Sequence, residues 1–280
     1  MNILLAGGNG EVGNDISYLL SKKHKIIVSS RSQKNLKKKN IIFKKIDFSK
    51  NILIKQKIDL IINCIATHSY SKKKSFDDYY KSNVLAILNI IKFAEKRKIK
   101  VINLSTISIY DFKSNNNIIE DKEDIANNML AVTKYAGEKF LELSKVSSLN
   151  LRMPGILTSN KNIQRPWLRF IINEIKNEKT INVFNLSKKF NSVIDTQEIY
   201  NFIIFVLRNK FVPGNYNFIA NNPMKLKEIL KILKNKMRSN SKFVSLGNKN
   251  TPLADNAKIK KNFKYKISSV KKIITRNLND

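Results

Sequence analysis

The sequence contains very few of the residues that build disulfide frameworks and metal centres. Among 280 residues there are one cysteine, Cys64, and two histidines, His24 and His68. A single cysteine excludes an intramolecular disulfide framework and a multi-cysteine zinc site, and two histidines leave few ligands for any other metal. We therefore expect no metal site and a reducing, cytoplasmic location.

Neither a leader nor a membrane-spanning stretch is visible in the sequence. The first residues, Met1 to Ala6, run directly into Gly7 without a basic leader, which argues against a secretory signal. Apolar runs such as 199–207 are interrupted by polar residues well short of the roughly 20 apolar residues that cross a bilayer. The sequence predicts a soluble protein with no membrane partner.

Acidic residues are scarce as well. The chain has 21 Asp and Glu against 53 Lys and Arg, a formal net charge of +32. Such a charge suits a nucleic-acid-binding protein, because basic surfaces attract phosphate in a salt-dependent way. The lysines, however, are spread along the whole chain without a basic tail or recognition motif, which favours a general compositional bias. We expect no specific nucleic-acid partner, but a field that attracts anionic ligands such as nucleotides.

Hydrophobic residues make up 42% of the chain, enough for a sizeable core at this length. In the first half, short β-rich runs alternate with segments whose apolar residues have helical spacing, such as 84–94. The predicted strands are 2–6, 25–30, 41–46, 58–65, 100–105 and 149–153. This alternation predicts an α/β fold with a doubly wound parallel sheet.

Beyond Arg152 the alternation is less regular. The predicted elements there are helices over 167–177, 197–208, 226–236 and 270–279 and a strand over 215–219. No internal repeat and no Gly/Ser linker separates the two halves. The second half is expected to be a smaller lobe packed on the first.

A glycine-rich loop follows the first predicted strand and opens the first predicted helix. Its glycines are Gly7, Gly10 and Gly13, with Asn9 inside the loop. Glycines here permit a tight turn, close approach of backbone to a pyrophosphate and close helix–strand packing, and the helix N-terminus supplies donors. The pattern predicts a dinucleotide-binding loop and makes a simple glycine-rich turn the weaker interpretation.

The end of the second predicted strand bears on the choice between NAD and NADP. NAD-specific proteins commonly place a carboxylate there to bind the adenosine ribose, but the sequence Ser29-Ser30-Arg31-Ser32 contains no acid. Arg31 can pair with the 2′-phosphate of NADP, so the sequence favours NADP over NAD. The alternative for Arg31 is an ordinary solvent-exposed cation.

Together with the glycine loop, several segments make the chain resemble the extended short-chain dehydrogenase/reductases. The resemblance covers nearly the whole chain and is to the NAD(P)-dependent sugar-nucleotide epimerase/dehydratase family in particular. It implies that Asp47 and Phe48, which end a predicted strand, flank the adenine. It also implies that Ala66, in Asn63-Cys64-Ile65-Ala66, lies under the cofactor.

Further matches follow along the chain. Asn83, in Lys81-Ser82-Asn83-Val84, matches a family asparagine, which implies a contact with the cofactor. The segment 104–110, LSTISIY, resembles the family's SSxxxVY, so Thr106 is the counterpart of its catalytic Ser/Thr and a substrate contact. Leu151-Arg152-Met153-Pro154-Gly155 resembles LRxxN, with Gly155 where Asn is usual.

Three residues fall where this family often binds the nucleotide part of its substrate: Arg165, Trp167 and Arg169. Two cations beside an indole suit a diphosphate and a base. Packing and surface charge explain them equally well.

The family carries a Tyr and a Lys four residues apart on one helix, where both face the cofactor. Its Lys holds the nicotinamide ribose and lowers the pKa of the phenol, which then acts as base or acid. Tyr135 and Lys139 satisfy this spacing. Lys134, however, precedes Glu138 by four as in the family's (S/T)KxxxE passage, and this register puts Leu130 at the Tyr position.

The distance to the LRxxN segment favours the second register. Lys134 lies 18 residues before Arg152, as in short members of the family, and Lys139 only 13. We therefore favour Lys134 as the cofactor-binding and catalytic lysine, without a catalytic Tyr, and keep Tyr135 as the catalytic residue of the alternative register.

The resemblance implies a Rossmann-type NAD(P)-binding domain over 1–155 and a smaller C-terminal α/β substrate-binding lobe over 156–280, with part of 190–220 returning to the core. It implies an NAD(P)-dependent epimerase, dehydratase or reductase acting on a nucleotide-sugar in polysaccharide biosynthesis, and a homodimer is one expectation for its assembly. With Leu130 the chemistry is altered or impaired. The alternatives are a non-catalytic dinucleotide-binding relative, serving as redox sensor or scaffold, and, less favoured, a basic nucleic-acid-associated protein.

Overall fold

The computed structural model describes residues 1–30, 39–68, 75–112, 117–121, 124–161 and 166–278. The chain forms two compact units, each assembled from three segments. The segments of unit 1 are Met1–Asp111, Glu123–Arg152 and Tyr200–Tyr216, and those of unit 2 are Phe112–Lys122, Met153–Ile199 and Asn217–Asp280. The chain thus leaves unit 1 and returns to it twice before it ends in unit 2.

The described residues form strands and helices that are numbered in chain order. The strands are β1 (Asn2–Ala6), β2 (Lys25–Ser30), β3 (Ile41–Lys45), β4 (Leu60–Asn63), β5 (Lys100–Thr106), β6 (Ser148–Met153), β7 (Gly155–Leu157), β8 (Ile181–Val183), β9 (Lys189–Phe190), β10 (Val193–Asp195), β11 (Gly214–Asn217), β12 (Met224–Lys225) and β13 (Phe243–Ser245). The α-helices are α1 (Glu11–Ser21), α2 (Phe76–Tyr79), α3 (Ala86–Arg97), α4 (Met129–Leu143), α5 (Trp167–Lys176), α6 (Thr196–Arg208), α7 (Leu226–Lys236), α8 (Ala257–Phe263) and α9 (Val270–Arg276). A π-helical turn, Tyr80–Leu85, joins α2 to α3, and a 3₁₀ turn, Ile107–Ile109, follows β5.

The sheet of unit 1 has seven strands in the order β11-β6-β5-β4-β1-β2-β3. The pairs β1–β2, β2–β3, β1–β4 and β4–β5 are parallel, and Leu4 lies between Ile27 and Ile61 on the neighbouring strands. Every residue of β4 and β6 is buried, as expected for a parallel sheet that is covered on both faces. The strand order reverses between β1 and β4, and open α/β sheets bind ligands at the carboxyl ends of strands at such a point.

The helix that follows β4 contains the π-helical turn in its first half. Ser75 begins it with a capping box, in which its hydroxyl accepts from the Asp78 N–H and the Asp78 carboxylate accepts from the Ser75 N–H. Helix α4 packs closely against the π turn, because a Cβ added at Gly137 would lie 2.8 Å from the carbonyl oxygen of Asn83. π turns often mark functional sites, and this one carries a buried asparagine.

Three pairs of short strands are found in the described part of unit 2: β7–β10 and β8–β13 are parallel, and β9–β12 is antiparallel. Helix α5 buries Leu168, Ile171 and Ile175, which recur at helical spacing on one face. The same pattern places Leu226, Ile229 and Leu233 of α7 in the core.

A charged cluster joins α9 to the start of α6 in unit 2. The guanidinium of Arg276 donates to both carboxylate oxygens of Asp195, at 2.7 and 2.6 Å, and lies 3.4 Å from Glu198. The Tyr265 hydroxyl donates to Glu198 at 2.9 Å. Burial and the neighbouring Glu198 carboxylate raise the pKa of Tyr265, which keeps its phenol protonated as a donor.

The predicted α/β class with a doubly wound parallel sheet is confirmed. The strands predicted over 2–6 and 25–30 and the helix predicted over 226–236 coincide with β1, β2 and α7. The strand predicted over 58–65 is shorter, because the chain leaves the sheet after Asn63. Helix α8 and the short strands of unit 2 were not predicted, since they are too short to show a periodic pattern.

No helix among the described residues is long and apolar enough to span a membrane. The same residues contain no group of three or more His, Cys, Asp and Glu side chains that is arranged to hold a metal ion.

Candidate dinucleotide site

The glycine loop is shaped by two close backbone approaches. Gly7, just after β1, has φ +78°, and a Cβ there would lie 3.0 Å from the backbone of Cys64 and Ile65 after β4. A Cβ at Gly13 would lie 2.6 Å from the carbonyl oxygen of Gly7. Side chains at Gly7 and Gly13 would therefore force the loop apart, and glycine is required at both.

Helix α1 presents its N-terminus at this loop. Gly10 is the N-cap, and no side chain accepts a hydrogen bond there. A helix N-terminus carries a partial positive charge and N–H donors, which suit a phosphate. The loop thus fits the pyrophosphate of a dinucleotide, because glycines clear the space and Gly10, the N-cap, has no side chain that competes for the donors.

A cavity of about 610 Å³ opens in unit 1 beside the loop. Six of the residues predicted to bind the cofactor line it: Gly7, Asn9, Gly10, Asp47, Phe48 and Ala66. Ten further residues complete the wall: Ile46, Ser49, Lys50, Cys64, Ile65, Thr67, Asp78, Lys81, Ser82 and Ala86. Sequence reasoning missed these ten, although half of them lie in the segments that carried the resemblance. The lysines Lys50 and Lys81 gave no local signal among so many others.

The wall formed by Asp47 and Phe48 is a tight turn after β3. The Asp47 carboxylate accepts from the backbone N–H and the hydroxyl of Ser49, at 3.0 and 2.7 Å. Phe48 is buried, and its carbonyl accepts from the Asn89 side chain at 2.9 Å. The turn is therefore fixed from both sides and presents the cavity with a rigid edge.

Asn83 does not line this cavity but holds its wall. The buried amide of Asn83 accepts from the Thr67 N–H at 3.0 Å and donates to the Thr67 carbonyl at 3.3 Å, as a neighbouring strand would. It also donates to the Thr133 hydroxyl of α4 at 3.0 Å. Asn83 thus ties the segment after β4 to the helix that carries Lys134.

Lys134 and Thr106 lie at the carboxyl end of β5. Lys134 is buried, and its Nζ donates to the carbonyl of Leu104 at 2.8 Å, two residues before Thr106. Burial lowers the pKa of Lys134 to about 8, although the Glu138 carboxylate partly opposes this. Thr106 is half-buried, and its hydroxyl accepts from the Ser108 N–H at 3.1 Å.

Burial also changes the pKa of Cys64, which lines the cavity and is close enough to Lys134 for the charge of that lysine to act on it. Its pKa is raised to about 12, because the thiolate would be desolvated there. The thiol is therefore neutral at physiological pH and acts as an apolar lining group.

The two candidate registers of α4 differ sharply in their surroundings. Leu130 is buried, one turn before buried Lys134. Tyr135 and Lys139 are only half-buried, with the ammonium 5.3 Å from the phenol ring. The structure thus directs the Lys134 face of the helix, and not the Tyr135–Lys139 face, toward β5.

Tyr110, Glu138 and Arg152 form a buried cluster behind Lys134. Arg152 Nε donates to Glu138 at 2.9 Å, and Nη1 donates to the Tyr110 hydroxyl at 2.6 Å. Burial by itself lowers the pKa of Arg152, but Glu138 and Tyr110 outweigh it and raise that pKa, so the guanidinium stays charged. The Tyr110 hydroxyl is thus engaged by the buried ion pair.

Of the residues predicted to bind substrate, Trp167 is half-exposed at the start of α5, with its ring 6.1 Å from that of Phe190. Arg169, in contrast, is 1% exposed and donates to the carbonyl of Thr158 at 2.9 Å, while its Nε has no partner among the described residues. Burial lowers the pKa of Arg169. Arg31 and Arg165 lie outside the described residues.

Gly155 occupies the position where the resemblance expects Asn. A Cβ at Gly155 would lie 2.6 Å from the Cβ of Pro166. An asparagine side chain has no room there, so the departure from the LRxxN pattern is a packing requirement of unit 2.

A comparison with protein families matches residues 1–264 to the family described as the RmlD substrate binding domain. The chain belongs to this family. No curated protein matches the chain.

Solved structures share the fold of this RmlD-family chain over nearly its whole length. The Bordetella bronchiseptica enzyme WbmG, in complex with NAD and UDP, aligns with a TM-score of 0.81 and 16% identity over 99% of this chain and 93% of its own. A UDP-N-acetylglucosamine 4-epimerase from Methanobrevibacter ruminantium aligns with a TM-score of 0.81 and 19% identity, over 99% of this chain and 96% of its own. A dTDP-glucose 4,6-dehydratase from Bacillus anthracis, in complex with NAD, aligns with a TM-score of 0.79 and 15% identity, over 99% of this chain and 95% of its own.

Proposed function

We propose that this RmlD-family protein is an NAD(P)-dependent enzyme that acts on a nucleotide-sugar as an epimerase, dehydratase or reductase. The observation that carries the proposal is the cavity of unit 1, where a glycine loop and an uncapped helix N-terminus meet the predicted adenine-flanking turn. Solved structures of the same fold include nucleotide-sugar epimerases and a dehydratase, several of them in complex with NAD.

The residues of unit 1 fit a nicotinamide dinucleotide. Gly7, Gly10 and Gly13 with the N-terminus of α1 hold the pyrophosphate, and Asp47 and Phe48 border the adenine. When bound, the cofactor supplies a hydride donor or acceptor. The absence of an acid after β2 and the presence of Arg31 support NADP over NAD.

Lys134 and Thr106 are the residues that we propose for the reacting end of the site. Lys134 holds the ribose of the nicotinamide half, and Thr106 binds a substrate hydroxyl. In this register Leu130, one turn from Lys134, stands where the family has its Tyr, so the chemistry differs from that of a Tyr-containing relative.

Unit 2 supports an anionic substrate. A guanidinium as buried as that of Arg169 is costly without a counter-charge, and within the described part of the chain it donates to a backbone carbonyl alone. An anion such as the diphosphate of a nucleotide-sugar supplies the missing charge, and the Trp167 ring offers a surface for the base. Arg165 belongs to the same proposed subsite.

We also propose that the protein is a cytoplasmic homodimer. Exposed apolar side chains recur at helical spacing along α4, at Met129, Val132, Phe140 and Leu143. The homodimer expected from the family resemblance would cover these side chains with a second copy of the chain. Light scattering at micromolar concentration tests this: a dimer mass that becomes a monomer mass in Val132→Glu/Leu143→Glu is expected, and a monomeric wild type contradicts it.

The cofactor proposal is tested by titrating the purified protein with NADPH and with NADH. We expect saturable binding, tighter for NADPH. Gly13→Ala should weaken it by at least about tenfold, because the new Cβ collides with the Gly7 carbonyl. Asn14→Ala, at the next and exposed position of α1, is the matched control and should bind like the wild type. A folded wild type that binds neither coenzyme overturns the proposal.

The substrate proposal is tested by a screen of UDP-, GDP- and dTDP-sugars with the wild type and Leu130→Tyr. Turnover by the wild type supports an enzyme with altered chemistry. Turnover only in Leu130→Tyr favours the second candidate, a non-catalytic dinucleotide-binding relative, for which Leu130 is the specific observation. Activity that survives Lys134→Ala but is lost in Tyr135→Phe shows that the register was chosen wrongly.

A further inference from the structure

Four asparagine side chains form a continuous hydrogen-bonded row across neighbouring strands of unit 1. Asn63 of β4 donates to Asn103 of β5, Asn103 donates to Asn150 of β6, and Asn150 donates to Asn215 of β11. Each Nδ2–Oδ1 distance is 2.8 Å. We call this set the asparagine row.

The row is a polar element inside an apolar sheet. Asn63, Asn103 and Asn150 are at most 1% exposed, so their amides have no access to bulk water. Burying an amide is unfavourable unless its donors and acceptors form hydrogen bonds. Here the Nδ2 of each buried asparagine donates to the Oδ1 of the next one in the row. Linked amides with aligned dipoles also strengthen one another. The row therefore holds its strands in one relative position that apolar side chains would specify less sharply.

One end of the row reaches the candidate site. The Oδ1 of Asn63 accepts from the backbone N–H of Ile65 at 3.1 Å. This donor belongs to the loop that directly follows Asn63. Ile65 follows Cys64, and the backbone of both lies 3.0 Å from where a Cβ of Gly7 would be. A displacement at Asn63 would therefore move the segment 64–67 relative to the glycine loop.

The other end of that segment is held separately. Thr67 is bound through both its N–H and its carbonyl by Asn83 of the π turn. The segment 64–67 is thus fixed at its start by Asn63 and at its end by Asn83, and all four of its residues line the cavity. Only the start depends on the sheet interior.

We propose that the asparagine row is a positioning device for the dinucleotide, with Asn63 and Asn103 as its positioning residues. Asn103 touches neither the cavity wall nor the glycine loop among the contacts of the described residues; it acts by fixing the amide of Asn63, which fixes Ile65. The inference rests on the proposed dinucleotide binding and extends its determinants to the middle of the sheet.

The test compares Asn103→Leu with Asn215→Leu, the same substitution at the outer end of the row. Asn103→Leu removes the acceptor of Asn63, so we expect the dissociation constant for NADPH to rise at least about tenfold at a temperature where the variant is fully folded. Asn215→Leu leaves the Asn63–Asn103 bond in place and should stay within about twofold of the wild type.

A second measurement separates positioning from stability. Hydrogen exchange of the Ile65 amide should accelerate at least about tenfold in Asn103→Leu and remain unchanged in Asn215→Leu, whatever the melting temperatures of the two variants. Asn103→Ala removes the same amide without adding bulk and carries both measurements if Asn103→Leu does not fold.

Two outcomes overturn the inference: wild-type affinity in a folded Asn103→Leu or Asn103→Ala, or an Ile65 amide that exchanges as slowly as in the wild type. A wild type that binds no dinucleotide refutes the proposed function instead. In that case the exchange rate of Ile65 still decides whether the row positions the segment 64–67.

Discussion

Lys134 is a residue of the candidate site whose ionisation the structure alters. Its ammonium is held by one carbonyl in a buried position, and burial lowers its pKa from 10.5 to about 8. Near neutral pH the lysine therefore loses its charge more readily than a surface lysine does. The charge that would hold a ribose hydroxyl or support a proton transfer is thus sensitive to pH in a range where other lysines are not.

This shift predicts a specific dependence of stability on pH. Between pH 8 and 10.5 the unfolded chain retains the Lys134 proton while the folded chain releases it, so the free energy of unfolding rises with pH. The full gain corresponds to about 3 kcal/mol. Urea unfolding at pH 7 and pH 10 should show a gain in the wild type that Lys134→Met lacks. Lys139→Met is the control; a gain of equal size in Lys134→Met would contradict the burial of this charge.

The residue scale also shows how far sequence reasoning reaches. Spacing and the distance to Arg152 favoured Lys134 over Lys139, and the structure buries the first and leaves the second half-exposed. The partner of Tyr110 could not be predicted, because its bond to Arg152 spans 42 residues and follows no local pattern. The burial of Arg169 and its bond to the Thr158 carbonyl were equally invisible in the sequence.

Among the elements, α4 and the π turn depend on a glycine. Gly137→Ala would place a Cβ 2.8 Å from the Asn83 carbonyl, on the backbone of a packed helix that cannot yield as a side chain does. We expect a loss of about 1–3 kcal/mol in the free energy of unfolding, although alanine has the higher helix propensity. Urea denaturation measures it. Lys139→Ala, on the same helix but not in this contact, should change stability by less than about 0.5 kcal/mol.

Helix α9 is held in unit 2 by its buried side chains Val270, Ile273 and Ile274 and by Arg276. Its bidentate pair with Asp195 and its proximity to Glu198 neutralise two carboxylates that are at most 3% exposed. Arg276→Met leaves both without a cation and should cost about 3 kcal/mol, the lower end for a broken buried pair because Arg276 itself is 27% exposed. Thermal unfolding checks this against Lys272→Met, an exposed position of the same helix; equal melting temperatures would refute it.

At the scale of the whole molecule, the net charge of +32 is the dominant electrostatic fact. It should accelerate the association of anionic coenzymes, and salt should remove that advantage because the Debye length falls from about 10 Å at 0.1 M to about 3 Å at 1 M. Stopped-flow mixing with NADPH should give an association rate that falls about tenfold between 50 and 500 mM NaCl, with little change in dissociation. NADH, which lacks the 2′-phosphate, should show the shallower slope; salt-independent association would contradict the steering.

The overall architecture was accessible from sequence, because strand–helix alternation and the glycine loop are local patterns that each occupy a few dozen residues. The asparagine row was not accessible. Its three links join residues that are 40, 47 and 65 positions apart, and nothing in one segment reveals which amide it will meet. The assignment of a domain boundary near 155 stays a prediction, since each unit is assembled from three separate segments.

The late arrival of β11 has a consequence for the nascent chain. Until residues 200–216 have been synthesised, β6 is an edge strand that pairs with β5 alone, and the Asn150 amide lacks its Asn215 acceptor. At about 5–20 residues per second, the 65 residues between them take roughly 3–13 s to emerge. During that interval the open edge of β6, which β11 covers in the finished molecule, offers a template for pairing with other chains.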